Sequence, residues 1–428
     1  MSDATEPGSY FVANYPPFAR WHADAVPAVL AAFDAAPTAA PLGLYLHVPF
    51  CRKRCKFCYF RVYTDVAAAD VERYSQALAR EAALVATRPA IRGRPLKYVY
   101  FGGGTPSFLS VKQLERLVAG LHESFGWDAA EEVTFECEPG TLSEPKVRAL
   151  KALGMTRISL GVENFDDHIL EANGRAHLSA EILRAWEWIQ AAGFPSTNVD
   201  LIAGMVGETF ESWQRTVDKT LALGADSVTI YQLELPFNTV FVKDARDGGG
   251  DVPVADWPTK RAWVAWAFER FEAAGYVVSS GYTLARDPRR VRFHYRDMLW
   301  EGSDLAALGV ASFGHLSGRH YQNATHWDDY LADVEAGRLP IRRGLAATPR
   351  DLLIRETVLG LKKGRLDVER LRRKFGVDPL AEWAGQWRAL EAAGHLAARE
   401  PEPVLSRSGL LQVDSLLPAF FEPPTGGG

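Results

Sequence analysis

Three of the chain's four cysteines lie close together, in the segment HVPFCRKRCKFCYF. Cys51, Cys55 and Cys58 have the spacing Cys-x3-Cys-x2-Cys and directly follow a predicted strand. Three thiolates on a short loop can bind three irons of a cubane iron–sulfur cluster and leave the fourth iron open to another ligand. A structural zinc site is the alternative, but zinc normally takes four protein ligands. Cys137 is distant in sequence and His47 is the remaining candidate, so the spacing favours a 4Fe-4S cluster with an open iron.

A glycine-rich segment follows the second predicted strand. In FGGGTPS, residues 101–107, three consecutive glycines allow backbone groups to approach a ligand without interference from Cβ atoms. A structural turn would explain the same glycines about as well. The segment predicts a ligand-binding loop only in combination with the cysteine loop.

Carboxylates stand at or near the ends of later strands. Glu136 in FECEPGT and Glu163 in SLGVENF end two predicted strands, and functional side chains of a parallel barrel collect at such ends. Ordinary solvated strand-end residues are the alternative for both. Asp200 in NVDLIAG lies inside an apolar strand, where a buried carboxylate needs a partner. Asp200 is therefore a stronger candidate than Arg175 in EANGRAH, which a surface position would also explain.

A basic segment lies further along the chain. Arg290, Arg292 and Arg296, with His294 among them, could pair with substrate carboxylates, because a guanidinium binds a carboxylate through two hydrogen bonds. A solvated basic face explains the same residues equally well.

Short β-rich runs alternate with amphipathic helical stretches from residue 44 onward. The six predicted strands are Leu44–Val48, Tyr98–Phe101, Val133–Cys137, Arg157–Val162, Asn198–Ile202 and Ser227–Leu233. Predicted helices between them include 71–86, 111–125 and 143–154, the last with Ser143 as its cap. This alternation indicates an α/β fold with a parallel sheet, but periodicity does not distinguish a partial barrel from an open doubly wound sheet.

Changes in composition divide the chain into three expected regions. Residues 1–41 form an irregular N-terminal extension with a helix near 25–35, and residues 42–345 form the core with its later elaboration, including a helix and a strand across 257–278. Residues 346–428 form a small helical or winged-helix domain that ends in a frayed PPTGGG tail, and its predicted helices lie at 351–362, 368–375 and 379–393.

The overall composition excludes several classes of function. The net charge of -5 and a pI near 6.1 give no general basic field, so nucleic acid is not an expected partner. No apolar run reaches the length of a membrane span, and the first residues do not resemble a secretory signal, so a cytoplasmic location is expected. Clustered cysteines in a long chain indicate metal binding rather than a disulfide framework.

The cysteine loop, its place after the first strand and the motifs that follow it resemble the radical S-adenosylmethionine (SAM) superfamily. More narrowly, the chain from Tyr45 to about Phe421 resembles the oxygen-independent coproporphyrinogen III oxidase family. The resemblance implies a partial (β/α)6 TIM-type barrel with a small C-terminal helical or winged-helix domain. It also implies reductive cleavage of SAM by the 4Fe-4S cluster to a 5'-deoxyadenosyl radical. The implied partners are a small-molecule substrate such as a tetrapyrrole and an electron donor such as flavodoxin or ferredoxin.

The same resemblance implies roles for individual side chains. Cys51, Cys55 and Cys58 are expected to bind the cluster. The expected cofactor-binding residues are Tyr45, Phe57, Gly103, Gly104, Thr105, Glu136, Glu163, Arg175, Asp200 and Phe313, the last in LGVASFGH. The family usually has Gln at the position of Glu163. No separate catalytic residue is assigned.

Two motifs separate this chain from its relatives. Coproporphyrinogen oxidases have a fourth cysteine at the position of Phe60, whereas haem chaperones have His-Asn-x-x-Tyr-Trp where this chain keeps only Trp300. Radical SAM methyltransferases and cyclopropanases of this fold have the Cys-x3-Cys-x2-Cys-x-Phe form and bind two SAM molecules. Because the resemblance extends from Tyr45 to about Phe421, the prediction is a coproporphyrinogen oxidase-like radical SAM enzyme. A methyltransferase, a haem-degrading relative and a haem chaperone that carries haem without turnover remain the alternatives.

Overall fold

A computed structural model describes residues 3–9, 11–248 and 250–423 of the chain. Its main feature is a twelve-stranded sheet, and a separate two-stranded sheet lies near the C-terminal end of the described residues. The strands are β1 (Leu42–Val48), β2 (Leu96–Gly103), β3 (Glu132–Cys137), β4 (Arg157–Glu163), β5 (Ser196–Ala203), β6 (Ser227–Gln232), β7 (Val277–Val278), β8 (Thr283–Ala285), β9 (Asp304–Leu308), β10 (Phe313–Leu316), β11 (Arg319–Asn323), β12 (Ile341–Ala346), β13 (Leu396–Ala398) and β14 (Val404–Leu405).

The α-helices lie between and after these strands. They are α1 (Val26–Phe33), α2 (Ala68–Ala86), α3 (Val111–His122), α4 (Glu144–Ala152), α5 (Asp167–Ala172), α6 (Ser179–Ala192), α7 (Phe210–Leu223), α8 (Val240–Gly248), α9 (Trp257–Ala273), α10 (His294–Trp300), α11 (Trp327–Glu335), α12 (Pro349–Leu361), α13 (Val368–Phe375), α14 (Pro379–Glu382), α15 (Ala384–Ala392), α16 (Arg407–Leu411) and α17 (Val413–Leu416). No helix in the described ranges has both the length and the apolar character needed to cross a bilayer.

Strands β1 to β6 are parallel neighbours in sequence order, with helices in the connections between them. Strand β1 pairs on its other side with β9, and β6 pairs with the antiparallel β8, so the six strands do not close on each other. This arrangement confirms the predicted α/β fold and its partial barrel, and it excludes the doubly wound order, in which the sequence order of the parallel strands reverses at the first strand. All six predicted strands are present, within two residues of the expected bounds.

Alternation along the strands separates a polar interior from an apolar exterior. On β4, Ile158, Leu160 and Val162 are buried in the main hydrophobic core, whereas Ser159 and Glu163 line an internal cavity. Successive side chains of a strand point to opposite faces, so the apolar set packs against the helices and the polar set faces the barrel interior. The barrel can therefore hold a polar ligand without loss of its core.

Local capping explains where several helices begin. Ser110 forms a capping box with Gln113 at the start of α3, and the side chain of Ser143 accepts from the amide of Lys146 at the start of α4. Gly154 follows α4 in a left-handed conformation with φ of +84°. The predicted cap and end of this helix are thus confirmed.

Strands β9 to β12 extend the sheet beyond β1, and the sequence did not predict them. Strands β10 and β11 are antiparallel, four and five residues long, and have the sequences FGHL and RHYQN. Their polar side chains are mostly buried, including His315, His320 and Gln322. Short strands with buried polar residues on both faces lack the apolar alternation that identifies a strand in sequence.

The N-terminal region is bonded to the loop after β6 and to the C-terminal helices. The predicted helix near 25–35 is present as α1, and the segment before it is irregular. Gly8 donates its amide to the carbonyl of Leu235, and Val12 donates to the carboxylate of Asp414. This segment therefore connects the loop after β6 to the C-terminal helices.

The C-terminal region is helical, as predicted. Helices α12 and α13 match the expected segments, and the segment predicted at 379–393 is divided at Trp383 into α14 and α15. Strands β13 and β14 form a small antiparallel pair beside these helices. Of the predicted PPTGGG tail, residues 424–428 lie outside the described residues.

Candidate functional site

The three clustered cysteines lie on a loop that folds back on itself after β1. Tyr63 donates its amide to the carbonyl of Pro49, and Cys51 donates to the carbonyl of Tyr63. Cys58 donates its amide to the carbonyl of Cys55, which forms a tight turn. All three cysteines are free and partly exposed, and they line one cavity of about 380 Å³.

Polar side chains from other elements face the sulfur atoms. The hydroxyl of Thr105 lies 3.3 Å from Sγ of Cys51, and Nη1 of Arg175 donates to Sγ of Cys55 at 3.2 Å. Burial raises the pKa of Cys51 to about 11 and that of Cys58 to about 12. Without a bound metal these two thiols keep their protons at neutral pH, so metal binding must release them.

Cys137 differs from the clustered cysteines. It borders the same cavity but is buried in the main hydrophobic core, with its Sγ 3.9 Å from the carbonyl oxygen of Phe135. It follows Glu136 on β3, and consecutive side chains point to opposite faces of a strand. Because Glu136 faces the cavity, the thiol of Cys137 faces the core.

A zinc site receives no geometric support. No group of three or more His, Cys, Asp or Glu side chains within the described part of the chain is placed to hold a single metal ion. His47, the candidate fourth ligand, is buried outside the residues that line the cavity, and its Nδ1 lies 3.2 Å from the hydroxyl of Tyr45. Three thiols around a cavity suit a cubane cluster better, because each thiolate binds a different iron.

The glycine-rich segment packs directly against the cysteine loop. Gly104 donates its amide to the carbonyl of Val48, and a Cβ atom at Gly104 would lie 2.9 Å from the backbone of Pro49 and Phe50. Gly103 has φ of +110°, which an L side chain rarely adopts. These glycines serve close packing of two loops as well as access to the cavity.

Three carboxylates from consecutive strands face the same cavity. They are Glu136, Glu163 and Asp200. Tyr100 donates its hydroxyl to Glu136 at 2.6 Å, and Ser159 donates to Asp200 at 2.7 Å. Burial raises the pKa of Glu136 and of Glu163 to about 7 and also raises the pKa of Asp200. A cation or a hydrogen-bond donor that enters the cavity would therefore stabilise the ionised forms of Glu136 and Glu163.

Arg175 lies at the centre of the site rather than on the surface. Its side chain is mostly buried, and Nη2 donates to the carbonyl of Gly161 at 2.7 Å and lies 3.6 Å from Glu163. Sequence reasoning ranked Arg175 below Asp200, but the structure brings both to the cavity. Gly174, with φ of +76°, precedes Arg175 in the turn after α5 and lies against the backbone of Lys56.

The three aromatic residues expected at the cofactor occupy different positions. Phe57 lines the cavity. Tyr45 lies behind it, where its ring stacks on that of Tyr100 at 6.0 Å. Phe313 is not brought together with the other predicted residues, because its ring packs on Phe18 at 4.5 Å.

A polar network beneath the cysteine loop was not predicted from sequence. Glu138 accepts two hydrogen bonds from Arg52 and one from the amide of Gly140, and its Oε1 lies 2.8 Å from Nδ1 of His177. Burial alone would raise the pKa of Glu138, but His177, Arg175 and Arg52 together lower it to about 2. The signal was present in FECEPGT, where Glu138 lies two residues after Glu136 and precedes Pro139.

Aromatic side chains surround the mouth of the cavity. Phe11, Tyr59, Phe60 and Tyr231 all line it, and Phe60 and Tyr231 are 40% and 39% exposed. The Phe11 and Tyr59 rings are 6.2 Å apart and nearly perpendicular. Exposed aromatic side chains around a cavity mark a binding surface for an apolar group.

The chain is similar to known proteins over most of its length. Residues 45–220 match the sequence model of the Radical SAM superfamily. The heme chaperone HemW of Lactococcus lactis is 28% identical over 351 residues, which cover 79% of this chain and 83% of that protein. The oxygen-independent coproporphyrinogen III oxidase of Pseudomonas aeruginosa is 28% identical over 404 residues, which cover 90% of this chain and 87% of the relative.

A solved structure shares the fold. Coproporphyrinogen III oxidase (HemN) from Escherichia coli superposes with a TM-score of 0.82 at 24% identity, covering 95% of this chain and 96% of that one. The chain thus has a radical SAM domain in an α/β radical SAM fold, as the sequence predicted. Proteins with this domain use a 4Fe-4S cluster and SAM, and the three cysteines that such a cluster needs are present in this chain.

Proposed function

We propose that this chain is a radical SAM enzyme similar to coproporphyrinogen III oxidase, which acts on a tetrapyrrole or a similarly bulky conjugated substrate. One observation carries the proposal. Cys51, Cys55 and Cys58 line the same cavity as a glycine-rich segment and three carboxylates from consecutive strands. In this proposal the three cysteines bind the cluster, and Cys137, whose thiol faces the core, does not.

The proposed cofactor site assigns a task to each group of residues. Thr105 and Arg175 donate hydrogen bonds to the thiolates of Cys51 and Cys55, which stabilises sulfur in its ligating form. When bound, the cluster and SAM supply a carbon radical, formed by one-electron cleavage of the cofactor, that abstracts hydrogen from the substrate.

The carboxylates and the glycine backbone orient SAM. In this proposal Glu136 accepts from the ammonium group of the cofactor, which is supported by its position in the same cavity wall as Gly103 and Gly104. Glu163 and Asp200, which line the same cavity from the next two strands, accept from ribose hydroxyls in this proposal. A fixed orientation matters because the radical must meet the substrate before it meets water.

The aromatic side chains at the mouth of the cavity support the proposal of a large conjugated substrate. Phe60 and Tyr231 expose flat apolar surface at the entrance, and Phe11 and Tyr59 continue it inside. Flat rings gain affinity by stacking on such side chains.

Two other functions have specific support. The similarity to a heme chaperone favours a haem carrier that keeps the cluster without turnover. Phe60, which follows Cys58 by two residues, favours the methyltransferase or cyclopropanase alternative. The coproporphyrinogen oxidase-like function is preferred because the relative with that activity covers more of the chain.

Anaerobic reconstitution with iron and sulfide tests the proposal. We expect a chain with about four irons that forms 5'-deoxyadenosine from SAM and a strong reductant. Cys55→Ala should lose both iron and product, whereas Cys137→Ala, the matched control, should keep both. A Cys55→Ala protein that retains its cluster and cleaves SAM would refute the ligand assignment.

The same preparation separates the three functions. Loss of carboxyl groups from coproporphyrinogen III supports the oxidase, transfer of a labelled methyl group from SAM supports the methyltransferase, and stoichiometric haem uptake without 5'-deoxyadenosine supports the carrier. Flavodoxin and ferredoxin can each replace the chemical reductant, which tests the proposed electron donor. We place this activity in the cytoplasm, because a reducing compartment protects the free thiols.

A further inference from the structure

A second cavity, also of about 380 Å³, lies apart from the cysteine cavity and shares none of its lining residues. Arg157 and Ser227, the first residues of β4 and β6, line it. The cysteine loop lies at the opposite ends of the parallel strands. The second cavity therefore occupies the amino-end side of the barrel, and the proposed reaction does not use it.

Arg157 is buried beside this cavity, and its guanidinium group has more hydrogen-bond donors than acceptors around it. Its side chain is 2% exposed, and Nη2 donates to Ser227 at 3.3 Å. Its Nε and Nη1 atoms have no hydrogen-bond partner among the described residues. The nearest carboxylate, Glu132, lies 3.9 Å away, and its two oxygens already accept from the amides of His294 and Tyr295. A buried guanidinium with unsatisfied donors is costly unless a ligand accepts from them.

Four Arg and Lys side chains and three carboxylates line the cavity, so its lining carries an excess of positive charge even when His294 is neutral. His294 pairs with Glu131, Arg296 pairs with Asp297, and Lys363 pairs with Glu301. Arg292 also lines the cavity, and it has no acidic partner in the part of the chain that the structure describes.

The remaining lining residues suit a small ligand. The ring of Phe293 lies 4.3 Å from the guanidinium carbon of Arg157 and fixes its plane. The hydroxyl of Ser279 lies beside Arg296, at 3.3 Å from Nη1. The cavity thus combines oriented donors with one apolar wall, a combination that binds a small organic or inorganic oxyanion.

We propose that this second cavity binds a small oxyanion, a carboxylate or phosphate group, between Arg157 and Arg292. Arg157 supplies the buried end of the site and Arg292 supplies the exposed end. The site is separate from the proposed SAM site, so it binds a different ligand and does not depend on the cluster. The sequence suggested that the basic residues of segment 290–296 contact the substrate. In this proposal the segment instead forms part of a second, oxyanion-binding site.

Calorimetric titration of the full chain with inorganic phosphate and, separately, with succinate tests this site. Both titrations are made at constant ionic strength adjusted with chloride. At least one anion is expected to bind with a millimolar or tighter Kd. The comparison of the two anions identifies phosphate or carboxylate as the preferred group.

Two variants locate the binding. Arg292→Ala is expected to weaken it by roughly tenfold or more, because one charge-assisted contact is lost. Arg290→Ala removes the same charge from an exposed residue that does not line the cavity, and it should bind as the unaltered chain does. Arg292 is itself exposed, so its substitution should leave the melting temperature unchanged.

Three results would overturn the proposal. The first is no binding of either anion. The second is equal binding by Arg292→Ala and the unaltered chain, and the third is equal weakening by Arg290→Ala. Arg157→Met provides a second variant if its circular dichroism is unchanged, and binding that survives this substitution would also contradict the site.

Discussion

Nη1 of Arg175 donates to Sγ of Cys55 at 3.2 Å, although the two residues are far apart in sequence. The arginine follows α5 on the far side of the barrel, and its Nη2 atom is held by the carbonyl of Gly161. A buried cation thus contacts one sulfur of the cysteine loop while it also lies 3.6 Å from Glu163. This contact joins the proposed cluster site to the proposed SAM site.

Arg175→Gln should change the properties of the proposed cluster. Hydrogen bonds and positive charge near a ligating sulfur favour the reduced cluster, so their loss should shift its reduction potential to a more negative value. An anaerobic redox titration followed by electron paramagnetic resonance measures the shift. Arg184→Gln is the control, because Arg184 is an exposed arginine on α6 that does not line the cavity. Equal potentials for Arg175→Gln and the control would contradict a role for Arg175 at the cluster.

Glu136 should make SAM binding depend on pH. Burial raises its pKa to about 7, so the carboxyl is protonated in mildly acidic solution and ionised in mildly alkaline solution. Because SAM carries a cationic ammonium group, affinity should increase as pH rises through this value, by at most about tenfold per pH unit for one proton. Equilibrium binding to the reconstituted chain measures the change. Glu136→Gln should bind SAM more weakly above the transition and show a flatter profile, and an unchanged profile would exclude this residue.

Glu163 is expected to act as a hydrogen-bond acceptor rather than as a charge. Its backbone has φ of +64°, which turns its carboxylate towards the cavity that it lines. Glu163→Gln keeps an acceptor oxygen, so SAM affinity at neutral pH should stay within about threefold. Glu163→Ala removes the acceptor and should weaken binding by roughly tenfold. If Glu163→Gln binds as weakly as Glu163→Ala, the charge is the essential feature.

Glu138 should stabilise the fold through its contacts with Arg52 and His177. Glu138→Gln removes the charge from a buried network and should lower the free energy of unfolding by about 3 kcal/mol, measured by denaturant titration. Glu144→Gln, which breaks only the exposed pair with Arg148, should cost less than about 0.5 kcal/mol. Similar losses in both variants would show that the network adds nothing beyond a surface pair.

The contribution of Glu138 should also depend on pH. Its pKa falls from 4.5 to about 2 in the folded chain, so the unfolded chain binds the proton more tightly. The stabilisation is therefore complete above pH 4.5 and is lost as pH falls towards about 2. Unfolding measured across this range should show a smaller acid-induced loss in Glu138→Gln than in the unaltered chain.

The barrel strands and their polar ends were predictable because they follow a simple period. Apolar runs alternate with amphipathic helices, and parallel strands bring their carboxyl ends to one edge. Glu136 and Glu163 were identified on that ground, and Asp200 was identified as a carboxylate inside an apolar strand; the structure brings all three to one cavity. The cysteine spacing was equally informative, because it needs no knowledge of the fold.

Residues outside this period were harder to predict. Arg175 is positioned by a turn, and a turn has no repeating pattern that indicates which way a side chain points. Arg52 and His177 contact Glu138 across three separate segments, a proximity that only tertiary packing creates. Phe313 lies in the segment LGVASFGH, but its strand belongs to the extension beyond β1 that the sequence did not indicate.

The hydrogen bond from Val12 to Asp414 has a consequence for biosynthesis. Phe11, the neighbour of Val12, forms part of the wall of the cysteine cavity, and Lys362 also donates to the carbonyl of Val12. A nascent chain on the ribosome lacks this anchor until residue 414 has been translated and released from the exit tunnel. The cysteine cavity therefore gains its complete wall only after the segment around residue 414 has folded against residue 12.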